Sequence, residues 1–256
     1  MSRSSDRSRR APHSRGALAA AVLAVTLAAT AACGGEAPAT GDTPPGSLAV
    51  MSDWDGCDVF ADLAAIQDRL GVTAIDGELQ SDGLGEGIDA EAAGCSGLFD
   101  LATFEDTQGT FEYRSTGDAA VRAGLAPWST EAEAEANFSD RVDQRRRNLP
   151  GIDYLDEVEG ALGGAWDESL TITAETEHRT YLDVYGRYGS WVVYVSVDYL
   201  HDPGVGAYES APEFYPDSSA EQLAVYPFTT AQFTDWLAQE HLPQIQTDIL
   251  DRAGGE

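Results

Sequence analysis

The clearest pattern in the chain is an alternation of hydrophobic and polar residues in its C-terminal half. Five large apolar side chains occupy every second position: Trp191, Val193, Val195, Val197 and Tyr199. A period of two places such residues on one face of a β-strand. Two preceding segments, 170–174 and 180–185, alternate in the same way, and short polar links at Glu177–Arg179 and Gly186–Gly189 separate the three segments. This arrangement predicts an antiparallel meander.

A weaker alternation earlier in the chain predicts a β-hairpin. It covers Leu98–Phe104 and Thr110–Tyr113, and the turn-forming segment Glu105–Gly109 separates the two. Two short alternating segments joined by a link that contains glycine are typical of an antiparallel pair.

Two segments have the spacing of amphipathic helices. In Asp58–Leu70, apolar residues recur every three or four positions, which places them on one helical face. Ser129–Arg147 is the clearest helix in the chain. Thr130 and Glu133 have the spacing of a capping box at its start, and arginines lie at its end.

A third helical stripe covers Thr230–Leu250, where Pro243 should kink or split the helix near His241–Leu242. Before it, residues 201–228 hold four of the 11 prolines and predict an excursion across the surface. Together these elements predict a single α+β domain over residues 53–250. Its antiparallel sheet, made of the hairpin and the C-terminal meander, is packed by about three helices.

The first 32 residues have the pattern of a signal peptide. Residues 1–15 contain five arginines, whereas residues 16–32 contain no charged side chain. These are the basic and apolar regions of a secretory leader. The apolar run of 17 residues lies at the lower limit for a helix that crosses roughly 30 Å of hydrocarbon. A permanent membrane span is therefore the weaker interpretation.

Small residues at Ala31 and Ala32 allow two ways of processing this leader. In one, a signal peptidase cuts near Ala32 and Cys33 has no special role. In the other, Thr30-Ala31-Ala32-Cys33 acts as a bacterial lipobox, which it resembles. Cys33 then becomes an acylated N-terminus that holds the chain to the membrane. The Pro-, Gly- and Thr-rich residues 33–52 favour the second outcome, because they predict a disordered tether behind the anchor.

The chain is strongly acidic and contains no lysine. It has 15 basic and 44 acidic residues, and removal of residues 1–32 leaves 10 against 43, a net charge of −33. Because such a surface repels phosphate backbones, we expect no nucleic-acid partner. The absence of lysine excludes a Schiff-base lysine, a Ser-x-x-Lys acyl-transfer site and a phosphate-loop lysine.

Cys57 and Cys95 are an even pair in a chain that we expect to enter an oxidising compartment, which predicts a disulfide. On the chain-entropy account, closing a loop of this length stabilises the fold by about 3–4 kcal/mol. Free or metal-binding thiols are the alternative, although no further cysteine or histidine has ligand spacing around them.

Few residues are candidates for catalysis, and we expect no catalytic, metal-binding or cofactor-binding site. Gly-x-Ser-x-Gly, His-Glu-x-x-His and glycine-rich phosphate-loop motifs are absent from the sequence. His178, His201 and His241 follow the leader, and one of them could act with an acidic partner, since triads are defined by geometry. The acidic segment 76–94 could bind calcium, although its spacing does not match an EF-hand and a solvated loop is the alternative.

The mature chain has one cluster of basic residues, Arg145–Arg147. It could dock an anionic ligand or partner. Alternatively, it complements the dipole of its own helix and the surrounding acidic residues, which is the commoner role of such a cluster.

Tyrosines are concentrated in one part of the chain. Eight of the 10 lie within 46 residues: Tyr181, Tyr185, Tyr188, Tyr194, Tyr199, Tyr208, Tyr215 and Tyr226. An aromatic groove where the meander meets residues 201–228 would suit a ligand with apolar or sugar-like faces. The candidate groove residues are Tyr185, Trp191, Tyr194 and Tyr199. A hydrophobic core is the alternative, because ordinary sheets also favour aromatic residues.

The start of the first helix, Cys57-Asp58-x-Phe60-x-x-Leu63, is paired with a later cysteine and preceded by a lipobox-like leader and a Pro/Thr-rich tether. This combination resembles small actinobacterial lipoprotein families of unknown function, whose relatives include extracytoplasmic sensor-type domains. The resemblance covers about residues 53–100. It implies an α+β domain with a disulfide and a ligand groove, and it carries over no catalytic residue.

Two classes of function remain. The first is a non-catalytic binding or envelope-interaction module, anchored through Cys33 on the extracytoplasmic face of the cell membrane. Its groove would take a small molecule, a lipid or an envelope protein. The second is a cell-envelope hydrolase that uses a loop histidine with an acidic partner. The positions of the three histidines distinguish the two classes.

Overall fold

A computed structural model of the protein describes residues 46–106, 113–148 and 156–254. The predicted signal peptide, Cys33 and residues 33–45 of the predicted tether lie outside these ranges. So do residues 107–112, which include part of the predicted hairpin turn.

The centre of the fold is a sheet of eight strands in the order β1-β3-β4-β8-β7-β6-β5, with β2 also paired to β3. Every pair is antiparallel. The strands are β1 (Ala74–Ile75), β2 (Gln80–Asp82), β3 (Ala93–Asp106), β4 (Tyr113–Pro127), β5 (Asp156–Gly160), β6 (Glu168–Glu175), β7 (Arg179–Tyr188) and β8 (Trp191–Leu200). The predicted α+β class, with a hairpin and a C-terminal meander, is confirmed.

Eight α-helices lie in the described part of the chain: α1 (Ser47–Met51), α2 (Gly56–Val59), α3 (Ala64–Leu70), α4 (Glu131–Asn148), α5 (Pro203–Ser210), α6 (Ala220–Leu223), α7 (Thr230–Trp236) and α8 (Leu242–Gly254). Most are short, so the sheet is packed by more helical segments than the three predicted. Within the described ranges, no helix has the length and hydropathy needed to cross a membrane.

The main hydrophobic core lies on one face of the sheet, which we call the core face. The side chains that alternate along β8 from Trp191 to Tyr199 are buried there. Residues of α3, α7 and α8 pack against them, including Leu70, Phe233 and Ile249. The predicted period of two in β8 therefore corresponds to a real division between two faces.

Helix α4 packs on the opposite face, which we call the α4 face. Ala134, Phe138 and Val142 of α4 are buried in a smaller cluster with Val192 and Tyr194. The helix closely matches the predicted Ser129–Arg147. At its start, the Thr130 hydroxyl accepts a hydrogen bond from the Glu133 backbone at 3.2 Å.

Strand β4 is far longer than the predicted segment Thr110–Tyr113. Its residues 114–127 are rich in alanine and glycine, which have low β-propensity, so their alternation is too weak to predict a strand. A Cβ at Gly124 would overlap the ring of Tyr194, and one at Gly117 would overlap the ring of Tyr226. The small residues of β4 therefore make room for aromatic rings from later segments.

The predicted helix Asp58–Leu70 is not continuous. Between α2 and α3, Ala61, Asp62 and Leu63 have φ angles of 46°, 54° and 57°. This is a left-handed turn, which L-residues rarely adopt because Cβ approaches the following carbonyl oxygen. Leu63 is nevertheless buried in the core, so the apolar spacing identified a buried residue but not the conformation that buries it.

The last part of the predicted tether 33–52 belongs to the folded domain. In α1, the Leu48 backbone donates to the Trp128 carbonyl at 3.0 Å, and the Ser47 backbone donates to Ser190 Oγ at 2.9 Å. The folded domain therefore begins several residues before the predicted residue 53.

The C-terminal helix is interrupted close to the predicted position. A π-helical turn, Leu237–His241, separates α7 from α8, and Pro243 is the second residue of α8. The predicted excursion over residues 201–228 contains the two short helices α5 and α6.

Cys57 and Cys95 form the predicted disulfide, with their Cα atoms 4.6 Å apart. The bond joins α2 to β3. A Cβ at Gly56 would overlap the backbone of Gly94, so a glycine is needed where the helix meets the strand. The disulfide therefore ties the N-terminal helices to the central sheet.

Candidate ligand-binding groove

A groove runs across the α4 face of the sheet in two adjoining parts. The helix end, a cleft of about 520 Å³, lies between α4 and the strands beneath it. The edge end, a cleft of about 390 Å³, continues over β3 and β4 towards β1 and β2. Because Arg122 and Ser196 line both clefts, we describe them as one groove.

Arg141 of α4 closes the helix end against the loop that precedes β3. Its Nη1 and Nη2 donate to Asp89 Oδ2 at 2.6 Å and Oδ1 at 3.2 Å, a bidentate pair. Its Nε donates to Asn137 Oδ1 at 2.8 Å. The Tyr194 hydroxyl also donates to Asp89 Oδ2, at 2.8 Å. The Arg141 guanidinium lies 4.8 Å from the centroid of the Tyr194 ring.

This network sets the protonation states of its members. Burial favours the neutral form of Asp89, but the hydrogen bonds and positive charge of Arg141 outweigh it and lower the Asp89 pKa below its usual value. Burial and the adjacent Asp89 raise the pKa of Tyr194. At neutral pH the carboxylate is charged and the phenol keeps its proton, so each can hold its place in the network.

One helical turn further on, Arg145 pairs with Asp183 on the floor of the groove. Arg145 Nε lies 2.5 Å from Asp183 Oδ2, and the Ser196 hydroxyl donates to Asp183 Oδ1 at 2.6 Å. Burial raises the pKa of Asp183, and Arg145 and Ser196 offset this only in part. Since these two charges face each other, they hold α4 to β7 rather than present a free charge to a ligand.

Arg122 lies at the centre of the groove. In the register of the sheet, Ser96 and Ser196 stand directly opposite it on the two neighbouring strands. Its side chain is exposed, and no ion pair joins it to any residue in the described ranges. Six other arginines do pair with carboxylates: Arg114, Arg141, Arg145, Arg146, Arg179 and Arg187.

The four aromatic residues predicted to line a groove do not lie together. Tyr185 and Tyr194 line the helix end, with ring centroids 6.4 Å apart. Trp191 and Tyr199 are buried on the core face instead. Residues 191 and 199 are an odd number of positions from 194 along β8, so their side chains point to the opposite face of the strand. They belong to the core, which was the alternative interpretation.

Apart from Arg145, the sequence did not point to the polar residues of this groove. Arg122 lies in the part of β4 that has weak strand character. Asp89 lies in the acidic segment 76–94, where nothing distinguishes it from its neighbours. Arg141 and Arg145 are four positions apart, and this spacing predicts that both lie on one side of α4. The spacing does not predict that this side faces the sheet.

Two of the three arginines in the predicted basic cluster Arg145–Arg147 form ion pairs within the fold. Arg145 pairs with Asp183, and Arg146 donates to Glu159 of β5 at 2.8 Å and 3.0 Å. These two arginines therefore fasten the end of α4 to the sheet.

The three histidines do not line the groove. His178 is exposed, and its Nε2 lies 3.9 Å from Glu177 Oε2. His241 stacks on Trp236 with ring centroids 4.7 Å apart. His201 is half-buried directly after β8, and its Nε2 has no hydrogen-bond partner in the described part of the chain. Within the described ranges, no histidine side chain is hydrogen-bonded to a serine hydroxyl.

Among the residues that the structure describes, no three His, Cys, Asp or Glu side chains are grouped so that they could hold a metal ion. The acidic segment 76–94 instead supplies Asp89 to the Arg141 network. Comparisons of the chain with known protein families, with curated proteins and with solved structures find no match.

Proposed function

We propose that this protein is a non-catalytic binding module that is tethered to the extracytoplasmic face of the cell membrane through Cys33. Its groove on the α4 face takes up a small polar ligand. One observation carries the proposal: a continuous groove with hydrogen-bonded walls has an arginine at its centre that pairs with no described carboxylate.

The size and rigidity of the groove support a small ligand. Clefts of about 520 Å³ and 390 Å³ lie within the range of roughly 300–1,000 Å³ that small-molecule sites occupy. The Asp89–Arg141–Tyr194 network holds the helix end in one geometry before any ligand arrives. A preformed site lowers the entropic cost of binding.

The chemistry of the lining favours a polar ligand over an acyl chain. Arg122, Asn137 and Gln144 line the helix end together with several charged residues. An acyl chain would cover the exposed Arg122 guanidinium and Gln144 amide and leave them without hydrogen-bond partners, which is unfavourable. Tyr185 and Tyr194 add an aromatic surface on which the apolar part of a small molecule could lie.

The proposal can be tested by blocking the groove from an exposed position. Ala136 of α4 lines the helix end and is exposed. In Ala136→Trp, the indole should fill the cleft without removing any hydrogen bond. We expect native mass spectrometry of the full chain, extracted from its own envelope fraction in mild detergent, to show a retained small molecule in wild type. Ala136→Trp should not retain it.

Ala132→Trp is the matched control, because Ala132 is an exposed residue one turn earlier on α4 that does not line either cleft. Both variants carry the same change in helix propensity. The control should retain the molecule as wild type does. Equal retention by both variants, or a wild-type protein that retains no molecule, would contradict the proposal.

A further inference from the structure

We infer that the groove binds a small zwitterion, whose carboxylate contacts Arg122 and whose ammonium group contacts the acidic side chains of the edge end. This inference rests on the proposed function and names its ligand class. Arg122, Asp76 and Glu78 line the groove and make no ion pair with a described residue.

Arg122 and the neighbouring Ser96 form a site for a carboxylate. The guanidinium presents parallel N–H donors that match the two oxygens of a carboxylate. Ser96 and Ser196 flank it on adjacent strands, each about 5 Å away across the sheet. Both serines line the edge end together with Arg122. A carboxylate on Arg122 can therefore also accept a hydrogen bond from the Ser96 hydroxyl, whereas the Ser196 hydroxyl already donates to Asp183.

Asp76 and Glu78 supply the opposite charge in the same cleft. Both are exposed, both line the edge end, and neither makes an ion pair with a described residue. The third carboxylate there, Asp198, is already paired with Arg179 at 2.5 Å. The cleft thus contains one uncommitted positive charge and two uncommitted negative charges.

The net charge of the chain selects for a ligand that carries both signs. At −29 for the whole sequence, the protein repels a simple anion before it can reach Arg122. A simple cation would be attracted to the surface but would meet Arg122 at the centre of the groove. A zwitterion avoids both costs, because each of its charges meets its opposite and its net charge is zero.

The dimensions fit a molecule of amino-acid or dipeptide size. Arg122 lies on β4, whereas Asp76 and Glu78 lie beside β1 and β2 on the far side of β3. Two strand spacings separate these backbones by roughly 10 Å. The long side chains of arginine and glutamate reduce this distance, so a ligand with its charges several bonds apart can bridge them.

Isothermal titration calorimetry of the full chain in detergent at low ionic strength tests the inference with three probes. Glycylglycine carries both charges, N-acetylglycine only the carboxylate and glycinamide only the ammonium group. We expect glycylglycine to bind at least about tenfold more tightly than either single-charge probe, since it forms charge-assisted hydrogen bonds at both ends. Arg122→Gln should weaken glycylglycine binding by a similar factor.

Arg114→Gln is the control, because Arg114 is an exposed arginine on the same strand that pairs with Glu105 at 3.3 Å and lies outside the groove. Its affinity should match wild type. The inference is overturned if N-acetylglycine binds as tightly as glycylglycine, if Arg122→Gln has no effect, or if no probe binds at millimolar concentration. Should that happen while Ala136→Trp still loses a retained molecule, the binding module stands and only the ligand class is wrong.

Discussion

Gly124 influences the groove although it has no side chain. The Tyr194 ring lies in the space that a Cβ at this position would occupy, and the Tyr194 hydroxyl reaches Asp89 at 2.8 Å. A larger residue at 124 would push the ring away and break the hydrogen bond that Tyr194 donates to Asp89, the carboxylate that also accepts from Arg141. The geometry of the charged network therefore depends on an uncharged residue on a neighbouring strand.

His241 is a single residue that should make stability depend on pH. Burial lowers its pKa from 6.5 to about 4, with a small opposing effect from Asp248. As pH falls below 6.5, the unfolded chain takes up a proton that the folded protein does not accept until about pH 4. The free energy of unfolding should thus fall across this window, by up to about 3 kcal/mol.

Urea denaturation between pH 7 and pH 4 measures this effect. His241→Phe keeps a ring that can stack on Trp236 but cannot be protonated, so its stability should change less over the window than that of wild type. His178→Gln is the control, since His178 is exposed, and it should follow wild type. Parallel curves for wild type and His241→Phe would exclude His241 as the source.

Among the elements of the described chain, the left-handed turn Ala61–Leu63 contains the non-glycine residues with positive φ. Such backbone costs roughly 1–2 kcal/mol per L-residue, whereas glycine adopts it freely. Because Ala61 is exposed, Ala61→Gly removes the strain with little loss of packing. After the greater flexibility of glycine in the unfolded chain is subtracted, we expect the free energy of unfolding to rise by about 0.5–1 kcal/mol in chemical denaturation.

Ala65→Gly provides the comparison, because Ala65 is also exposed but lies in the right-handed helix α3. There glycine should destabilise the protein by about 1 kcal/mol. If both substitutions lower the stability equally, the turn is not left-handed in solution.

Helix α4 combines two roles on one side. Its apolar residues Phe138 and Val142 bury it against the sheet, and Arg141 and Arg145 on the same side form the wall of the groove. Both arginines are paired with carboxylates from other elements. The helix is therefore held by packing and by ion pairs at once, which fixes the wall relative to the floor.

At the scale of the whole molecule, the chain has far fewer basic residues than acidic ones, 15 against 44, and most of the basic residues in the described ranges have a partner within the fold. Most arginines of the described chain contact a carboxylate, and two others lie over tryptophan rings: Arg69 over Trp236 and Arg252 over Trp54. Arg122 differs from these arginines, because it lies in the middle of a groove and makes no ion pair with a described residue. Charge balance within the fold therefore does not explain its position, whereas a role in ligand binding would.

The predicted anchor at Cys33 can be tested by where the whole molecule is found in the cell. If Cys33 is acylated, Cys33→Ala should release the protein from the membrane fraction or leave its leader uncleaved. Globomycin, which blocks the processing of lipoprotein precursors, should leave the leader of the wild-type protein uncleaved. Cell fractionation followed by immunoblotting measures both.

Gly34→Ala is the control for this experiment, since it changes the residue after the cysteine and leaves the thiol in place. It should remain in the membrane fraction. Unchanged membrane retention of both Cys33→Ala and globomycin-treated wild type, with no change in electrophoretic mobility in either, would mean that the uncleaved apolar segment 16–32 holds the protein instead.

Much of the fold could be predicted, because in many elements the local sequence pattern agrees with the tertiary structure. The alternation along β8 and the capping spacing at Thr130 are properties of a few adjacent residues, and both elements form as predicted. The break at Ala61–Leu63 and the long strand β4 could not be predicted in this way. Both depend on contacts with distant segments, such as the ring of Tyr194 over Gly124.

The sequence by itself determined the α+β class, the pairing of Cys57 with Cys95 and the division of β8 into two faces, because these follow from periodicity and cysteine count. Only the tertiary structure decided which aromatic residues line a groove and which belong to the core. It also brought Asp89 to Arg141, 52 residues apart, and placed Arg122 between two serines from other strands. Strand register and helix docking determine such neighbours, and neither is encoded in any short stretch of sequence.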